Sequence, residues 1–119
     1  MTGGLLMPQF ELKYGGELPK QPAIRLACFF TIKHREKVFS YEVYLGRLLS
    51  ATWGNIKEEE ARLFLIELGL KEAGEQLARG NEQNGHRINL TRCPRPKLSK
   101  ERRDELLAFV RGEAITLSL

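Results

Sequence analysis

The sequence has little of the material that catalysis and metal binding draw on. Its 119 residues include two cysteines and two histidines. No two of these four lie within four residues of each other, a poor arrangement for a metal site, whose ligands usually arrive in closely spaced pairs. A disulfide between Cys28 and Cys93 would need an oxidising compartment, and nothing in the chain argues for one. Gly3-Gly4 and Gly15-Gly16 stand at no strand-to-helix junction of the kind that cradles phosphate. The longest uncharged apolar run is Leu26 to Phe30, far below the ~20 residues that a membrane-spanning helix requires. Met1 to Pro8 has neither the basic start nor the apolar segment of a signal peptide. These absences predict a cytoplasmic protein with no membrane association and no bound cofactor.

The catalytic candidates are correspondingly few. His34 falls between charged residues at a chain reversal, and His86 opens a strand pattern. Neither has a serine, cysteine or aspartate at a spacing that identifies a triad. Glu58, Glu59 and Glu60 form a run of carboxylates, but acidic residues in the first turn of a helix already have a structural cause in the helix dipole. The expectation is a protein that is not an enzyme, with no catalytic or metal-ligating residue assigned.

What the chain does have is a change of hydrophobic period. Apolar residues alternate with polar ones in the segments 24–33 and 38–45, and more weakly in 47–53. From Lys57 to Arg79 they recur three and four apart. Period two marks a half-buried strand and period 3.6 a helix packed by one face. The order predicts an α+β fold: an antiparallel β-meander with a long helix packed across one face, plus a C-terminal strand and helix. The meander is read as Ile24–Lys33, Val38–Leu45 and Arg47–Trp53, preceded by a short strand, Phe10 to Tyr14, that ends at Gly15-Gly16. His34 to Lys37 is then a tight hairpin turn, despite having neither Gly nor Asn.

Asn55 is a good N-cap for the long helix and Gly80 a good terminator. Leu63, Ile66, Leu70, Ala73 and Leu77 form its apolar row, widened by Ala61, Phe64, Leu65 and Leu68. Gly69 and Gly74 each cost about 1 kcal/mol against alanine, which allows a bend near Gly69. His86 to Arg92 alternates again, Cys93 to Pro96 is an extended connector, and Ser99 caps a helix over 99–111. Ile115, Leu117 and Leu119 suggest a terminal strand, able to pair within the chain or across a homodimer. The whole of 1–119 reads as one domain, with 1–8 a loose tail, 24–80 the meander and helix, and 86–119 an appended basic segment.

The net charge of +4 is unevenly spread. Residues 55–86 carry a net −3, whereas 87–103 hold seven basic residues against Glu101, a net +6. Those seven are Arg87, Arg92, Arg95, Lys97, Lys100, Arg102 and Arg103. Arginine offers forked contacts to phosphate, and the helix N-terminus at Ser99 lies inside the segment. A second cluster, Lys33, Arg35 and Lys37, marks the hairpin tip. If tip and connector share one side, they form a continuous cationic strip. The expected function is therefore non-enzymatic binding, with nucleic-acid phosphate as the ligand and these ten residues as the contacts. The alternative is a protein-binding module (an inhibitor, an antitoxin-like adaptor or an assembly subunit) that faces an acidic protein surface. A plainer possibility for the charges is pairing with Glu58, Glu59, Glu60 or Glu67.

Two familiar nucleic-acid folds fail on named residues. A double-stranded RNA-binding domain starts its last helix with lysines that hold phosphates, but Lys57-Glu58-Glu59-Glu60 would repel them. A helix-turn-helix over 70–90 would want a small residue four before Gly80, where Gln76 stands.

Overall fold

A computed structural model describes residues 10–82 and 85–115. Four strands and three helices follow one another as β1 (Glu11–Glu17), β2 (Ile24–His34), β3 (Lys37–Gly46), α1 (Arg47–Thr52), α2 (Glu58–Ala78), β4 (His86–Leu90) and α3 (Lys100–Val110). The strands form one sheet in the order β1-β2-β3-β4. β1, β2 and β3 are an antiparallel meander, and β4 pairs parallel to β3, from Tyr41 beside His86 to Leu45 beside Leu90. The fold is α+β, with a mixed sheet.

The meander is present, but one of its strands is not where the sequence placed it. Arg47 to Thr52 is the short helix α1, not a third strand. Side-chain contacts from elsewhere hold that turn. The Arg25 guanidinium donates to Ser50 Oγ at 2.5 Å and to the Ile56 carbonyl at 2.6 Å. The missing strand is supplied by β1, which runs past Gly15 through an irregularity between Tyr14 and Gly16 and does not stop there. Gly15 makes room at that point for the Phe29 ring, which occupies the space a Cβ would take.

The turn from β2 to β3 is as tight as expected. His34 pairs with Lys37, and both residues between them have positive φ, 53° at Arg35 and 69° at Glu36. This is the primed-turn backbone that matches strand twist.

α2 crosses the sheet without interruption. Its N-cap is Lys57 with no side-chain cap, so Asn55 does not play the expected part, but Glu58, Glu59 and Glu60 do occupy the first turn. Gly69 marks a close approach to the sheet: a Cβ there would meet Val43 Cγ2 at 2.6 Å. The helix face of the sheet buries Phe30, Ile32, Tyr41, Val43 and Leu45 against Leu63, Leu65, Ile66 and Leu70. Leu106 and Phe109 of α3 are fully buried in the same core. The strand expected over 86–92 ends at Leu90, and Ser99 caps α3 by accepting from the Arg102 N–H at 3.0 Å. Ile115 is in no strand, and the rest of the expected terminal strand, like the tail 1–8, lies outside the described residues. No helix among the described residues is long and apolar enough to cross a membrane.

Candidate binding surface

The residues between β4 and α3 form a strap across α2. The Trp53 indole N–H donates to the Cys93 carbonyl at 2.9 Å, and Arg95 donates to the Trp53 carbonyl at 3.3 Å. The Arg95 guanidinium lies 5.3 Å above the Phe64 ring, which meets the Trp53 ring edge-on at 5.8 Å. Prolines 94 and 96 keep this stretch extended, since each fixes φ and removes a donor. The first half of α2 is therefore buried on two sides, by the sheet and by the strap, as its wide apolar face required.

Much of the basic charge is spent inside the molecule. Arg102 donates to Glu67 Oε1 through Nε at 3.0 Å and Nη2 at 2.8 Å, and lies 3.6 Å from Glu105. Arg103 forks onto both oxygens of Glu60 at 2.5 Å. This fork holds the Glu60 carboxyl below its ordinary pKa, the hydrogen bond from Arg103 being the main cause. Arg87 stacks 3.8 Å from the centre of the Tyr44 ring and donates to Asn89 Oδ1 at 3.1 Å. At the hairpin tip, Lys33 pairs with Glu11 at 4.0 Å and Lys37 with Glu82 at 3.6 Å. Arg35 is exposed in the turn. Arg92, Lys97 and Lys100 are exposed and form no ion pair among the described residues.

Tip and strap do not make one strip. The tip joins β2 to β3 at Lys37, while the strap leaves β4 where Leu90 pairs with Leu45. Eight residues of strand separate the two, about 26 Å at ~3.3 Å per residue. Each histidine is occupied: His34 stacks on Phe10 at 4.7 Å between ring centres, and His86 meets the Tyr41 ring edge-on at 6.2 Å. Burial, with Glu82 adding to it, pushes the Tyr41 hydroxyl up to about 12.

A surface that charge reasoning does not find lies where α1 meets the strap. Leu48 is 89% exposed, the most exposed large apolar side chain among the described residues. It lines a groove of about 610 Å³ together with Leu49, Thr52, Leu90, Arg92, Cys93 and Pro94. Arg47, next to Leu48, is also exposed and in no ion pair among the described residues. In comparisons with known proteins, the chain matches no family model, no curated protein and no solved structure. Geometry and chemistry are therefore what a functional reading rests on. The one sequence signal for the groove is Leu48-Leu49. Adjacent helix residues point about 100° apart, and α1 packs Leu49 against the core while Leu48 turns outward.

Proposed function

We propose that the chain is a non-enzymatic binding module that docks a partner protein at the α1–strap groove. The observation that carries the reading is Leu48, held outward on a short helix and lining an apolar groove that also includes Arg92. An apolar centre with arginine nearby is how protein interfaces are commonly composed. The partner that fits offers an apolar side chain to the groove and carboxylates to Arg47 and Arg92.

A second reading keeps the phosphate ligand and rests on Arg92 and Lys97 of the strap and Lys100 at the start of α3, which are exposed and form no ion pair among the described residues. Arg102 and Arg103 support it less, because their charges already meet Glu67 and Glu60.

One pair of variants separates the two. Leu48→Asp removes the apolar contact and leaves the cations. Replacing Arg92, Lys97 and Lys100 with glutamine removes the cations and leaves Leu48. Under the first reading, a partner recovered in stoichiometric amount with the wild type is lost with Leu48→Asp. Under the second, the wild type binds mixed DNA or RNA with a steep salt dependence. The triple variant then loses about 0.9 from the log–log salt slope per contact with duplex DNA. A partner retained in full by Leu48→Asp ends the groove reading.

A further inference from the structure

The sheet has two edges, and they are guarded differently. An unprotected edge presents a row of backbone groups that can pair with another strand. β1 carries the usual protections: a register shift between Tyr14 and Gly16, Gly16 at a φ of 117°, and exposed Glu11 and Lys13. α3 also lies beside it, with the Phe109 ring 5.6 Å from Tyr14. β4 has no register shift, no glycine and one exposed charge. It pairs with β3 through five consecutive residues without a shift, and contains neither proline nor glycine. On its other side, no backbone hydrogen bond reaches residues 86–90 among the described residues. Its single formal charge, Arg87, is drawn back over the Tyr44 ring.

The order of residues in β4 suits one occupant in particular. In an antiparallel pair of two such strands, residues directly opposite each other project from the same face. With the two-fold axis at Ile88, Arg87 stands opposite Asn89 of the second copy, Ile88 opposite Ile88, and His86 opposite Leu90. All five residues pair and no like charges meet. A register two residues earlier sets Arg87 against Arg87, and a one-residue slip sets a buried position against an exposed one. The Ile88 register also brings both α2 helices to the same face of the joined sheet. On that face, Glu72 and Gln76 flank Ile88 and Leu90 in a groove of about 270 Å³ along the β4 edge.

We propose that β4 pairs antiparallel with the same strand of a second copy, about Ile88, joining the two four-stranded sheets into one. This surface adjoins the α1–strap groove, with which it shares Leu90, Thr91 and Cys93, so the test below acts at position 89, which lines the edge groove alone.

The test uses position 89, whose side chain is exposed, and reads the dissociation constant of the full chain by sedimentation equilibrium. Asn89→Lys places a lysine opposite Arg87 twice per dimer. Asn89→Glu places a carboxylate there. The expected results are a dimer for the wild type, roughly tenfold weakening for Asn89→Lys and roughly tenfold strengthening for Asn89→Glu, each the sum of two cross-strand pairs. Circular dichroism and thermal melts on both variants show that the monomer fold is kept. A wild type that remains monomeric at millimolar concentration overturns the proposal. So does a dimer that shifts in the same direction, or not at all, with the two substitutions. Neither result bears on the Leu48 groove, whose test reads a different partner.

Discussion

Arg103 and Glu60 face each other as two forks, Nη1 on Oε2 and Nη2 on Oε1, each at 2.5 Å. They lie 43 residues apart in sequence, so this contact fastens the start of α3 to the start of α2. Glu60 has a folded-state pKa below its ordinary 4.5. A depressed carboxyl pKa adds stability that is complete above the ordinary value and fades as pH falls through the folded one. Arg103→Gln should therefore lower the melting midpoint at pH 7 and have progressively less effect below pH 4.5. An equal loss at pH 7 and pH 3 would mean that the arginine acts through packing, not through the carboxylate.

Gly69→Ala should destabilise the protein even though alanine is the better helix former. The helix gains about 1 kcal/mol, but the new methyl must displace a fully buried valine, Val43. Overpacking of this kind costs about 1–3 kcal/mol. Combining it with Val43→Ala should recover part of the loss relative to the sum of the single changes. Denaturant midpoints for the four species of that cycle decide it.

The two residues of the hairpin turn, Arg35 and Glu36, hold positive φ without the chemistry that favours it. Arg35→Asn with Glu36→Gly should raise stability by about 1–2 kcal/mol, since positive φ costs most side chains about 1 kcal/mol or more each. An unchanged chemical-denaturation midpoint would show that the backbone of this turn is not what limits the hairpin.

The thiols should divide cleanly. Cys28 is buried and its pKa is pushed up to about 12, mainly by desolvation, whereas Cys93 lies partly exposed on the strap. The thiolate is the reactive form, so an aromatic disulfide reagent at pH 8 should titrate one thiol in the folded protein and two in denaturant. Two fast thiols in the native protein would show that the β2 core is open to solvent.

The elements with a sustained period were legible: β2, β3 and α2 follow patterns long enough for one period to win. α1 was not, because Arg47 to Trp53 is too short for its apolar positions to distinguish two periods. Its helical state is set by Arg25, reaching from β2 to Ser50 and Ile56. The neighbour of β4 was also hidden. Alternation in 86–90 shows a strand but not which strand it joins. That follows from α2, whose 21 residues rise about 32 Å. The helix thus returns the chain to the start of β3, a strand of similar length, and makes the pairing parallel. For the candidate surface, the sequence showed where positive charge is concentrated. It also offered Glu60 and Glu67 among the carboxylates available to pair with it. It could not show which of the arginines are engaged, since that depends on the strap crossing α2.

The parallel pairing of β4 also has a consequence for the order of assembly. β2 and β3 close through a two-residue turn and can form on their own contacts. β4 can join only after α2 has bridged the length of the sheet, so the entropy of that closure is met before any of its hydrogen bonds form. The strap and α3 come later still, because Cys93 and Arg103 need Trp53 and Glu60 already in place. Amides of β2 and β3 should accordingly gain protection from exchange before those of β4, and α3 should dock last. Substitutions in the strap would then speed unfolding while leaving the folding rate nearly unchanged.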